Sequence, residues 1–234
     1  MNILKLFLIF LSLVMLSLSQ PIKAQNNDSN NQKKDTIKPS RVPVNPYIRL
    51  GIDVSSVMRN ILEPEVQQYE VSFDTGIQHN WFATAEAGFM NVNSERETFA
   101  YKSNGYFLRL GAEYNLLNKK PDPDKNNLVL IGARYGYSFL QHRSPFFFVE
   151  NEYWGNYTGS MNSSFFNLHW MELTGGVKTE VLPNLFLGWT IRVRVRIFSS
   201  RDPELQPYFI PGFGHGDRSN PATVLYSIMY RFKL

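Results

Sequence analysis

The sequence predicts an all-β fold, a single up-and-down antiparallel transmembrane β-barrel of about eight strands. Three observations predict it. The first is the stretch from Leu185 to Ser199. There Leu187, Trp189, Ile191, Val193, Val195 and Ile197 alternate strictly with Gly188, Thr190, Arg192, Arg194 and Arg196. Alternation at period two makes a strand with two unlike faces. Arg facing hydrocarbon at mid-depth costs about 2–4 kcal/mol, so in a membrane the Arg row must line a polar interior. The second observation is that seven further stretches alternate in the same way, joined by links that are short and long by turns. The third is composition. Aromatics make up 15% and charged residues 19%, yet mean hydropathy is only −0.27. Spanning strands with one wet face give this balance; spanning helices do not.

In chain order, residues 1–24 read as a secretory signal peptide. Lys5 supplies the positive start, Leu6 to Leu18 the apolar run, and Ala24 the small residue at the cut. Residues 25–46 are rich in Asn, Gln, Ser, Asp and Lys and are punctuated by Pro39, Pro43 and Pro46. Such a segment cannot bury enough apolar surface to offset its ordering entropy, which predicts a disordered periplasmic tether. Within it, Asp35-Thr36-Ile37 resembles a short O-glycosylation motif of Bacteroidota.

The barrel is expected over residues 47–234. The first strand sets Ile48, Leu50, Ile52 and Val54 against Arg49, Gly51 and Asp53. The second, about 68–78, sets Tyr69, Val71, Phe73 and Ile77 against Glu70, Ser72, Asp74 and Gly76. The third, about 81–91, sets Ala83, Ala85, Ala87 and Phe89 against Thr84, Glu86 and Gly88. The fourth, about 106–116, sets Tyr106, Leu108, Leu110, Ala112 and Tyr114 against Arg109, Gly111 and Glu113. The fifth, about 128–140, sets Val129, Ile131, Ala133, Tyr135, Tyr137 and Phe139 against Gly132, Arg134, Gly136 and Ser138. The sixth, about 168–181, sets Leu173, Val177 and Val181 against Glu172, Thr174, Lys178 and Glu180. The seventh is the Arg-striped stretch. The eighth, about 223–234, sets Tyr226, Ile228, Tyr230, Phe232 and Leu234 against Ser227, Arg231 and Lys233. His79-Asn80 and Leu182-Pro183-Asn184 are tight links, and 119–127 is a mid-length polar turn. Residues 56–67, 92–105, 141–167 and 199–222 read as long outer loops. This arrangement leaves both chain ends on the periplasmic side.

Alternation does not say which face is inside. A soluble lipocalin-like barrel carrying an apolar ligand would reverse the faces, and it stays open as the alternative. Three features favour the membrane. The polar face is rich in Gly, as the crowded interior of a narrow barrel requires. Its charges balance: Arg49, Arg109, Arg134, Lys178, Arg192, Arg194, Arg196 and Arg231 stand beside Asp53, Glu70, Asp74, Glu86, Glu113, Glu172 and Glu180. Mutual pairing is what a filled lumen needs. Third, alternate aromatics Tyr226, Tyr230 and Phe232 near the end resemble the C-terminal assembly signal of outer-membrane barrels, with Leu234 in place of the usual terminal Phe. The partners expected on this reading are outer-membrane lipid and the barrel-assembly machinery.

The formal charge of +4 sits wholly in residues 1–46, with six cations against two anions. The barrel is therefore neutral and carries no nucleic-acid footprint. With no Cys there is no disulfide and no thiolate metal site.

His169-Trp170-Met171-Glu172-Leu173, Asn184-Leu185-Phe186-Leu187-Gly188-Trp189 and Ile210-Pro211-Gly212-Phe213 give the chain a family likeness. So do Ile48-Arg49-Leu50-Gly51-Ile52-Asp53 and Ile131-Gly132-Ala133-Arg134-Tyr135-Gly136. Over most of residues 47–234 it resembles a Bacteroidota family labelled a domain of unknown function and similar to outer-membrane β-barrels. The resemblance implies a fold and a compartment and no activity.

An enzyme has one candidate. His142-Arg143-Ser144 resembles the His-x-Ser pair of a barrel lipid A deacylase, with Glu150 or Glu152 as orienting acid. Even positions of the fifth strand face inward, away from lipid, and Pro145 is expected to end the strand. His169 is expected on the apolar face near the outer rim, and His215 stands alone in a Gly-rich loop, so no His pair has metal-ligand spacing. No cofactor is expected. In the loop 141–167, the aromatics Phe146, Phe147, Phe148, Tyr153, Trp154 and Tyr157 offer a glycan- or protein-binding surface, or else a hairpin packed over the mouth. Eight strands leave an interior that side chains can fill, so no stable pore is expected.

Overall fold

Eight antiparallel strands close into a barrel in the computed structural model, which describes residues 47–78, 80–117, 127–200, 205–218 and 220–233. The leader, the tether, most of the polar turn 119–127 and Leu234 lie outside the described residues. The strands are β1 (Tyr47–Asp53), β2 (Val66–Gln78), β3 (Trp81–Glu95), β4 (Phe99–Asn115), β5 (Leu128–Val149), β6 (Tyr157–Leu182), β7 (Leu185–Ser199) and β10 (Ala222–Lys233). Each pairs with its neighbour in sequence. β1 then pairs with β10, from Tyr47 opposite Lys233 to Asp53 opposite Ser227, and shuts the ring. Closure pairs most of the strand edges that would otherwise invite aggregation.

The period-two pattern sets the faces. Along β7, Phe186, Gly188, Arg192 and Arg194 are buried while Leu187, Trp189, Ile191, Val195 and Ile197 are exposed. The same parity holds around the ring, with Leu50, Ile52, Val71, Leu108, Leu110, Ile131, Leu173, Ile228 and Tyr230 exposed on the outside. The tight turns at Asn80 and Asn184 carry φ of 65° and 67°. Asn is the non-Gly residue that tolerates this left-handed geometry best.

Five expectations fail, each for a physical reason. The expected loop at 56–67 begins as a helix, α1 (Val54–Leu62), and Val54 belongs to it rather than to β1. Asp53 is its N-cap: the carboxylate accepts from the Ser55 amide at 2.9 Å and from the Ser56 hydroxyl at 2.5 Å. The expected loop at 92–105 is mostly sheet, because β3 and β4 run on to Glu95 and Phe99. The expected loop at 141–167 is likewise a long hairpin of β5 and β6 with its turn at 150–156. Pro145 does not end β5. The register slips between Ser144 and Phe147, and a proline at such a bulge withholds no ladder hydrogen bond.

The fifth failure matters most for the interior. Residues 205–218 do not project outward; they fold into the barrel as a plug. Their short strands β8 (Phe209–Ile210) and β9 (Gly214–His215) pair with each other. Ile210 and Phe213 are fully buried against Phe107, Leu140, Phe166, Leu168 and Trp170, all on inward positions of the wall. Phe209 joins a second cluster with Val66, Met90, Val92 and Tyr101.

Candidate functional site: the sealed lumen

The lumen has an ionic layer and an apolar layer. Strand parity brings the charged rows of β1 to β7 to one level inside a ring too narrow to hold bulk water. Glu86 on β3 is at the centre. It accepts from Arg109 at 2.7 Å, Arg134 at 2.6 Å and Arg192 at 2.8 Å. Glu70 accepts from Arg109 at 2.8 Å and Arg192 at 2.9 Å. Glu113 accepts from Arg134 at 2.5 Å and Lys178 at 2.9 Å. Asp74 accepts from Arg49 at 2.6 Å and Lys178 at 2.9 Å. Glu172, with no exposed surface, accepts from Arg194 at 3.1 Å and lies 3.5–3.6 Å from Arg109, Arg134 and Arg192. Nearer the turn at Asn184, Arg231 donates to Glu180 at 3.1 Å.

Each of these carboxylates meets at least one cation, and most bridge two strands. Charge-assisted bonds of this kind are short and directional. An unpaired charge in the same place would cost several kcal/mol. Cross-linking the wall through its own side chains also leaves little space. Beside Glu70, Asp74, Arg134 and Arg192 the remaining cavity is about 30 Å³, room for one or two waters.

Two residues of the charged row behave differently from mutual pairing. Asp53 spends its carboxylate on capping α1. Arg196 reaches no carboxylate among the described residues. It donates to the carbonyls of Gly216 at 2.7 Å and Arg218 at 3.3 Å, and its guanidinium lies over the Phe213 ring. Arg109 likewise donates to Gly212 O at 2.7 Å, and Arg194 to Phe213 O at 3.1 Å. The arginines therefore hold the plug down by its backbone as well as pairing with the wall. The plug can lie so close because Gly212, at φ 71°, has no Cβ to strike the Phe107 ring. Gly136 makes the matching allowance on the wall: a Cβ there would run into the Trp170 ring.

The family model described as "Domain of unknown function (DUF6048)" matches residues 3–234. The chain belongs to the DUF6048 family. No curated protein matches the sequence. Among solved structures, this DUF6048 member is similar to the crystal structure of Neisserial surface protein A (NspA). Identity there is 11% and the TM-score 0.35, with 82% of this chain and 98% of that one covered. It is also similar to the N-terminal β-barrel domain of Pseudomonas aeruginosa OprF. Identity there is 8% and the TM-score 0.33, with 80% of this chain and 98% of that one covered.

The aromatics of residues 146–157 do not gather into one patch in this DUF6048 chain. Phe146, Phe147 and Phe148 are half-buried in the β5 wall, with Phe147 against Tyr157 at 5.9 Å between ring centroids. Tyr153 and Trp154 stand apart at the hairpin turn, 84% and 83% exposed and edge-to-face at 4.9 Å. His142 and Ser144 are both buried inside the barrel. The Ser144 hydroxyl donates to the carbonyls of Ala100 and Phe146, at 2.8 and 3.2 Å. His142 Nε2 lies 3.1 Å from the Ser164 hydroxyl, between the rings of Tyr101 and Phe166. His169 is on the outer face, its Nδ1 2.5 Å from the Tyr135 hydroxyl.

The residues missed from sequence are the apolar inner layer: Phe107, Leu140, Phe166, Leu168, Trp170, Ile210 and Phe213. A signal was present. In F-F-N-L-H-W-M-E-L (165–173), apolar residues occupy both parities, as a strand buried on its inner face and oily on its outer face requires.

Proposed function

We propose that this DUF6048 protein is an integral outer-membrane β-barrel, exported by its first 24 residues, that catalyses no reaction and conducts no ions. Its role is structural, or one of binding through the outer hairpins. One observation carries the reading. The apolar rows of the strands are turned outward and exposed, while the charged rows are sealed within. In water this would be an inside-out protein; in a bilayer it is the arrangement of lowest energy. A soluble carrier of an apolar ligand would need the opposite parity and an empty apolar interior, and here the plug fills that space. Tyr153 and Trp154, exposed and set edge-to-face at the β5–β6 turn, are the surface best suited to stack on a glycan or a protein partner. Cell fractionation tests the reading. The protein is expected in the carbonate-resistant membrane fraction and to migrate faster on a gel before boiling than after. Release with the periplasmic extract would overturn it.

A further inference from the structure

Helices that pack on soluble proteins turn their apolar face inward. α1 does the reverse. Its protein side is polar: Ser56 is buried, and Ser55 and Asn60 bond to the neighbouring strands. Its far side is apolar, with Met58 60%, Ile61 75% and Leu62 78% exposed, and Val57 beside them.

The position of α1 explains the polar side. β1 is only seven residues long and pairs with β2 only from Arg49–Asp74 to Ile52–Val71. Beyond that point β2 and β10 have no strand between them, and α1 takes the missing place. The Asn60 side chain imitates a strand residue: its amide donates to Gln68 O at 2.9 Å and its oxygen accepts from Gln68 N at 2.8 Å. Ser55 Oγ accepts from the Tyr226 amide at 2.6 Å, and the Val66 amide donates to Glu63 O at 2.9 Å. Backbone groups at an open seam facing lipid must find partners within the protein. The helix supplies them from the Ser55 and Asn60 side chains, and its C-cap from the Glu63 carbonyl.

We infer that α1 is a membrane-embedded segment of the barrel wall, its Val57, Met58, Ile61 and Leu62 face lying in the acyl chains of the outer leaflet. The inference rests on the outer-membrane reading. The occupant is fixed by continuity. The apolar face of α1 extends the outward apolar rows of the strands it joins, Tyr69 and Val71 on β2 and Val224 and Tyr226 on β10, all exposed. The surface is apolar at every one of these positions, so hydrocarbon is the partner it fits.

The chain has no Cys, so single spin labels can be placed without removing any residue of that type. Ile61→Cys and Met58→Cys report on α1, Val71→Cys on the strand belt and Tyr153→Cys on water. Each is refolded into phosphatidylcholine vesicles, and collision with oxygen is compared with collision with a water-soluble nickel chelate. The expected result is that both α1 sites match Val71, oxygen-rich and shielded from nickel, with Tyr153 the reverse. If the α1 sites match Tyr153 while Val71 stays in lipid, the inference is overturned and the barrel reading stands. If Val71 also reports water, the membrane reading fails and the inference falls with it.

Discussion

Replacing Glu86 by Gln tests the ionic layer at its most connected point. The side chain keeps its size, so packing is unchanged. What changes is that Arg109, Arg134 and Arg192, now 2.6–2.8 Å from a carboxylate oxygen, face a neutral amide. Arg109 and Arg192 keep Glu70, and Arg134 keeps Glu113, so no guanidinium loses every partner. Still, one buried negative charge is gone from a layer of close cations. Breaking a buried ion pair from one side costs about 3–5 kcal/mol. The exposed pair Glu95–Lys102, at 2.9 Å, is the contrast. Solvent screens it, and Glu95→Gln is expected to cost less than about 1 kcal/mol. Urea unfolding of protein refolded in vesicles, followed by tryptophan emission, reads both. Equal effects of the two substitutions would refute the claim that the inner charges are sealed from water.

Four further outcomes follow from the geometry. Phe213→Ala empties the centre of the inner apolar cluster and should cost about 3–5 kcal/mol in the same unfolding assay. Planar-bilayer recording of that variant, and of the wild type, should show no steady channels, because the ionic layer stays closed. Gly136→Ala drives a methyl into the Trp170 ring and should cost about 1–3 kcal/mol; an unchanged unfolding midpoint would count against the close packing. Asn60→Ala strips Gln68 of both side-chain partners and should cost about 1–3 kcal/mol, with faster hydrogen exchange at the Gln68 amide as the local readout.

The barrel was legible because period two is a direct image of the pleat. Leu187 to Ile197 fixed one strand, and the tight turns at Asn80 and Asn184 fixed the directions of the strands they join. Strand ends were less legible. A wall that rises past the apolar belt loses its oily outer face, and with it the alternation, so 92–105 and 141–167 read as loops although they are sheet. α1 was readable in principle. Val54, Val57, Met58, Ile61 and Leu62 follow helical spacing after an Asp cap, but the stretch sat where a loop was expected. The plug was not readable from local pattern. Nothing in Pro207 to Gly216 says that Phe213 turns inward; the partners that draw it in lie far off in sequence on β4, β5 and β6. For the same reason parity put Arg196 on the inner face but could not name its acceptors, which are loop carbonyls.

The central claim is that the outer rows meet hydrocarbon, and the native tryptophans test it directly. The chain has four, of which Trp189 lies on the outer face of β7 and Trp170 is buried in the lumen. Variants keeping one Trp each, the others changed to Phe, are refolded into vesicles of brominated phosphatidylcholine. Trp189 emission is expected to be strongly quenched by the brominated chains, with Trp170 protected both from them and from aqueous acrylamide. Trp189 quenched by acrylamide but not by bromine would contradict it.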